Sequence, residues 1–167
     1  MNISMNRHEE ILTQYGMGPR QLEAALLDLS ESKLDLCPHA DGWSIRAIVH
    51  HIADGDDLWK MCIKQAIGHP DSEFVNWYWQ VPQDEWAQNW NYSERSIEPS
   101  LALFRANRGH IVHLLRATPG AMEKTIRVRW PTIEEQVVQV ASIVEGQTQH
   151  VTEHVAEIVT IREAYRL

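Results

Sequence analysis

Apolar residues recur at helical spacing along most of this chain, and four long helices follow from them. Leu22, Ala25, Leu26 and Leu29 keep the i, i+3, i+4, i+7 rhythm of one buried helix face. They belong to a first helix over roughly Ser4 to Leu29, broken at Gly16-Met17-Gly18-Pro19, where Pro19 suits the first turn of a restarted helix. Ile45, Ile48, Val49, Ile52, Trp59 and Ile63 stripe a second helix. It opens after Asp41-Gly42-Trp43 with Ser44 as N-cap and stops at Gly68-His69-Pro70. A third runs from near Ser96 to Thr118-Pro119-Gly120, with Leu101, Phe104, Ile111 and Leu115 on its apolar face. The fourth opens on a capping box, Ser142-x-x-Glu145, and continues to about Tyr165. Val144, Val151, Val155, Ile158 and Ile161 make its stripe.

Two connections carry structure of their own. Residues 71–92 hold four of the seven tryptophans, Trp77, Trp79, Trp86 and Trp90, and Pro82 opens a short helix among them. Such a cluster reads first as a lid over one end of the bundle or a dimer surface, and second as an aromatic wall for a ligand. TIRVRW and QVVQVAS alternate apolar and polar residues, which predicts a two-stranded hairpin across Pro131 to Glu135. The expected fold is all-α: an antiparallel four-helix bundle forming one domain over residues 1–167. A Trp-rich insertion lies between the second and third helices and a small β-hairpin before the fourth.

Composition narrows the function. The 167 residues are 44% hydrophobic and 23% charged, the balance of a globular protein. The formal charge of −8, with Lys and Arg scattered, argues against nucleic acid, whose phosphates need clustered cations. No apolar run reaches the ~18 residues of a membrane helix, and the N-terminus reads as a helix start, not a signal peptide. Cys37 and Cys62 form no CxxC pattern and read as reduced thiols of a cytoplasmic protein.

The candidate chemistry lies in the nine histidines. His150 and His154 in QHVTEHVAEI are four residues apart, which puts both rings on one helix face within reach of a single metal ion. At ~100° per residue, His154 sits roughly 40° and His150 roughly 80° from the centre of the apolar stripe. On the second helix His51 sits roughly 100° from the stripe centre, at the core boundary, whereas His50 at roughly 160° faces water. An isolated HxxxH pair arises often by chance, and a lone boundary histidine is usually just hydrogen-bonded. The conjunction of three such residues favours a metal. The pattern is not HExxH, because residue 151 is Val, so a zinc-protease reading lacks its general base. His110 and His113 lie off the apolar face, and His8, His39 and His69 fall at termini or loops. Cys62 lies three turns beyond His51, roughly 16 Å along the axis, and Cys37 is most simply a small buried residue beside Pro38. Asp54, Asp56 and Asp57 read as solvated helix-face charges.

The chain resembles the DinB-like family of metal-binding four-helix bundles. The carrying segments are Gly42-Trp43-Ser44-Ile45 followed by His51-Ile52-Ala53-Asp54, and later His150-x-x-x-His154-x-x-x-Ile158. The stretch DEWAQNWNYSERSIEPSLALFRANRGHIVHLLRA is similar to the family's third-helix region, and the likeness covers nearly the whole chain. The resemblance implies a metal held by one histidine of the second helix and two of the fourth, here His51, His150 and His154. His50 departs from the family's usual single histidine. The resemblance also implies a divalent ion, zinc or nickel, and a homodimer. Some relatives are thiol S-transferases that use mycothiol or bacillithiol.

The leading expectation is therefore a metal-dependent enzyme that transfers a low-molecular-weight thiol to a small electrophilic substrate. The alternatives are a metal-dependent hydrolase and a non-catalytic metal-binding stress-response module. A helical bundle with no metal at all is the plainest case.

Overall fold

Residues 3–39, 42–131 and 134–167 are described by a computed structural model. Helix α1 spans Ile3–Leu26, α2 Ile45–Gly68, the short α3 Gln83–Asn89, α4 Glu98–Ala117 and α5 Val140–Ala164. Strands β1 (Glu73–Val75), β2 (Thr125–Arg129) and β3 (Gln136–Gln139) make one sheet. The four long helices form the bundle, as the apolar stripes predict. α1 packs against α4 and α5, and α2 packs against the same two, so α1 and α2 face each other across the bundle. No helix among the described residues is long and apolar enough to cross a membrane.

Local signals set α2 as expected. The Ser44 side chain accepts from the Ala47 N–H, satisfying one of the unpaired donors of the first turn. α1, by contrast, does not break at Pro19; it runs on as one helix. Proline has no N–H to give the Tyr15 carbonyl four residues back, and an orphaned carbonyl normally ends a helix. Here Arg108 of α4 donates Nη1–H to that Tyr15 carbonyl at 3.2 Å. A partner from another helix takes the place of the missing bond.

α5 also starts elsewhere. Ser142 caps nothing: the helix begins at Val140, with Gln139 at the N-cap position and no side-chain cap. The Val140 N–H donates to the Lys124 carbonyl at 2.9 Å, so a backbone acceptor just ahead of β2 satisfies one donor of the helix's first turn. The predicted hairpin is real as the antiparallel pair β2–β3, though residues 132 and 133 of its turn lie outside the described residues, as does Asp41 before α2. It is not an isolated pair. β1 from the insertion adds in parallel to β2, with Phe74 opposite Val128. Phe74, Ile126 and Val128 bury their faces against Leu58, Cys62 and Ile63. A second core cluster, with Leu22, Ile48, Ile52, Phe104 and Ile158, fills the rest of the bundle.

Candidate metal centre

His51 stands on α2 and His150 and His154 on α5, two helices in direct contact. Their Nε2 atoms converge. His150 Nε2 lies 3.0 Å from His51 Nε2 and 3.1 Å from His154 Nε2, and one ligand atom from each ring falls within 4.8 Å of the others. Those two separations approach the roughly 3.3 Å between ligands around a tetrahedral ion with bonds of about 2.0–2.1 Å. The outward nitrogens complete the picture. His154 Nδ1 meets Glu157 Oε2 at 2.9 Å. A carboxylate only accepts, so Nδ1 carries the hydrogen and the Nε2 lone pair faces inward. His51 Nδ1 meets the Tyr78 hydroxyl at 3.4 Å. His150 Nδ1 is buried without a partner.

The electrostatics agree with a ligand set. Burial, then the neighbouring rings of His150 and His154, pushes His51 down to about 2. Burial, followed by His154 and Arg108, lowers His150 to about 4. Both imidazoles are neutral at neutral pH, the form that binds a metal. These residues fit the implied divalent ion: three neutral nitrogens face one point, and no carboxylate or thiolate joins the cluster among the described residues.

The centre opens to solvent on one side. A cleft of about 800 Å³ is walled by Trp43, His51 and His154 and rimmed by Asp84, Glu153 and Glu157. Trp43 stands edge-on to His51 at 4.5 Å between centroids and lies nearly parallel to His154 at 6.5 Å. No Lys or Arg lines this cleft among the described residues.

Several expectations need correction. His50 does not face water; it is fully buried, with Nδ1 2.8 Å from Ser100 Oγ and Nε2 3.3 Å from the Arg95 carbonyl. The angle from the apolar stripe presumes a single buried face, whereas α2 is covered by α4, α5 and the chain around Tyr92. Asp56 is not solvated either: it is 1% exposed and paired with Arg108 at 2.6 Å. Asp54 is half-buried and accepts from Tyr92 at 2.6 Å. His110 and His113 are exposed, as expected. Cys62 lies in the core beneath the sheet, where burial raises its thiol to about 12, and Cys37 donates to the His39 carbonyl. Neither joins the histidines. Of the tryptophans, Trp86 and Trp90 pack over the bundle while Trp77 and Trp79 stay 44% and 48% exposed.

Two supporting residues went unread in the sequence. Glu157, three residues past His154, was readable as a helix neighbour. Tyr78 was not, because only the folded insertion brings it to His51.

Known proteins resemble this chain throughout. The model of the DinB superfamily matches residues 14–158. A protein of Oceanobacillus iheyensis, named as a candidate metal-dependent hydrolase, is 32% identical over 110 residues, which make up 65% of this chain and 61% of the relative. The match thus spans less than two thirds of that relative's length. A similarly named protein of Bacillus mycoides is 25% identical over 87% of this chain and 79% of its own. Among solved structures, YfiT from Bacillus subtilis, described as a probable metal-dependent hydrolase with an unusual four-helix bundle topology, superposes with a TM-score of 0.83. It is 20% identical, covering 98% of this chain and 90% of YfiT. A mycothiol-dependent maleylpyruvate isomerase shares the fold at a TM-score of 0.68 and 13% identity, over 90% of this chain and 60% of that one.

Proposed function

This chain belongs to the DinB superfamily, and from that premise we propose that it is a metal-dependent thiol S-transferase. In this reading His51, His150 and His154 hold one divalent ion, zinc or nickel, and a low-molecular-weight thiol and a small electrophile meet in the cleft beside Trp43. The reading rests on three converging Nε2 atoms with no carboxylate among them. Bound there, a divalent ion supplies Lewis acidity that favours loss of a proton from a thiol or a water.

The residues around the site define the rest. Glu157 and Tyr78 orient two of the rings. Trp43 walls the cleft with apolar surface against which an uncharged electrophile packs. The carboxylates of Asp84, Glu153 and Glu157 repel anions, so a neutral or cationic substrate is favoured. In the transfer a sulfur–carbon bond forms, the leaving group departs from that carbon, and the thiol's proton passes to solvent through the open cleft. A thiol, acidic near pKa 8.5, asks less of a neighbouring base than water does.

Hydrolysis is the second reading, favoured by the names of both curated relatives. One experiment separates the two. The protein is purified untagged, its metal counted by elemental analysis, and the loaded form mixed with the uncharged thiol 2-mercaptoethanol and a neutral haloarene. About one ion per chain and thiol consumption that both vanish in His51→Ala and His154→Ala support transfer. Metal-dependent cleavage of a neutral ester without thiol supports hydrolysis. No metal uptake by the wild type would overturn both.

A further inference from the structure

Between α2 and the Trp-rich insertion lies a second cavity, of about 360 Å³, which shares no lining residue with the histidine cleft. Its volume is at the small end for ligand pockets. One wall is a single face of α2, where Asp54, Asp57 and Met61 stand at helical spacing. The other wall is aromatic: Phe74 from β1, then Trp77, Tyr78 and Trp90 from the insertion.

The rings meet at a corner and are held there. Trp77 stands perpendicular to Tyr78, at 89° and 6.0 Å between centroids, and Trp90 is stacked on Tyr78 at 5.9 Å. Trp86 Nε1 donates to the Tyr78 carbonyl at 2.6 Å, which fixes the segment over the bundle. Met61 and Trp77 are 52% and 44% exposed, so the lining reaches solvent at these two residues.

The charge lining this cavity is of one sign. No Lys or Arg lines it among the described residues. Asp57 already has partners, because Lys60 Nζ and Asn107 Nδ2 both donate to its Oδ1. Asp54 has no ion-pair partner among the described residues, and its carboxylate takes one hydrogen bond, from Tyr92 to Oδ2 at 2.6 Å. Burial raises the Asp54 carboxyl above its ordinary value, although Tyr92 and Arg95 act the other way. Its charge is therefore under-compensated, and a cation in the cavity would relieve it.

We propose that this cavity binds a small organic cation, a methylated ammonium whose methyl groups pack on Trp77 and Trp90 while its charge faces Asp54. Aromatic faces carry negative charge density and attract such cations, which are weakly hydrated and lose little on leaving water. An anion is repelled by the two carboxylates, and an uncharged apolar ligand would bury Asp54 without a partner. A hard metal ion asks for six or more oxygens, and most of this wall is rings and Met61. The site stands apart from the proposed chemistry at the histidines and does not depend on it.

The test follows the indole N–H signals of the seven tryptophans by proton–nitrogen NMR. Choline and its uncharged carbon isostere, dimethylbutanol, are titrated separately into the protein as purified. Choline is expected to saturate with a Kd of about 1 mM or tighter, moving the Trp77 and Trp90 signals and leaving Trp43 in place. The isostere should bind about tenfold more weakly, since it fills the same space without the charge. Trp77→Leu, at a half-exposed position, should lower choline affinity by about 2- to 30-fold. Asp54→Asn keeps an acceptor for Tyr92 and should lower it by about tenfold, with the isostere unaffected. Equal affinity for the two compounds, no saturation by choline, or shifts confined to Trp43 in the histidine cleft would overturn the proposal. The wild-type titrations decide this even if a variant fails to fold.

Discussion

Two of the polar clusters buried in this bundle are built on opposite rules. Around Arg108 the guanidinium is satisfied on every side. It bonds Asp56 at 2.6 Å, the Tyr15 carbonyl at 3.2 Å and the Gln147 carbonyl at 3.0 Å, with the Tyr15 ring 3.7 Å away. Those contacts tie α4 to α1, α2 and α5. Around His51, His150 and His154 the outward nitrogens find partners on two of the three rings, while the inward ones converge on each other and on an open cleft. Polar groups that close on one another hold a fold together. Polar groups braced from behind and left facing one point can receive a ligand.

That contrast is easiest to break at Arg108. Arg108→Met leaves the Asp56 charge buried and unpaired and re-orphans the Tyr15 carbonyl. It should cost about 3–5 kcal/mol, a drop in Tm of roughly 10 °C by calorimetry. Metal uptake by the fraction still folded should be unchanged; loss of uptake in that folded fraction would mean the two clusters are not separable. The next effect is ligand-linked. Removing metal with a chelator should lower wild-type stability by about 3 kcal/mol when the free metal had stood at about 100 times Kd. His150→Ala should show no such response, and its stability should lie within about 1 kcal/mol of the metal-free wild type.

Acid sharpens the same comparison. The His150 ring has an ordinary value of 6.5 and is lowered to about 4 in the fold. Between those values the unfolded chain binds more protons at this ring, so the His150 share of the metal-free protein's stability is lost as pH falls from 6.5, and that share levels off below about 4. Asp56, raised to about 6 chiefly by burial, contributes with the opposite sign over part of that range. The difference between wild type and His150→Ala therefore isolates the histidine, and should be on the order of 1 kcal/mol per pH unit in urea titrations. An equal slope in both proteins would deny that His150 is held neutral. The smallest effect belongs to Glu157→Gln. It weakens the brace on His154 at an exposed position, so zinc affinity by competition titration should fall by about tenfold or less.

The legible part of this protein is the part written within one helix. His150 and His154 share a face because four residues make about one turn, and His51 sits at a core edge because the α2 stripe puts it there. Ser44 caps α2 through an N–H three residues away. The errors share one cause. His50 and Asp56 read as solvated because one helix alone shows nothing of its neighbours, and Ser100, Arg95 and Arg108 come from far along the chain. Ser142 read as a cap because the sequence could not place Lys124 against Val140.

The sequence by itself determined four amphipathic helices, two strands and which histidines share a face, since those follow from periodicity and local steric rules. Only the tertiary structure decided that α1 passes through Pro19, that Asp56 is buried as an ion pair, and that a phenol from the insertion stands behind His51. Each depends on a donor or acceptor brought from another element. Desolvation makes such a partner necessary, and packing alone selects which residue supplies it.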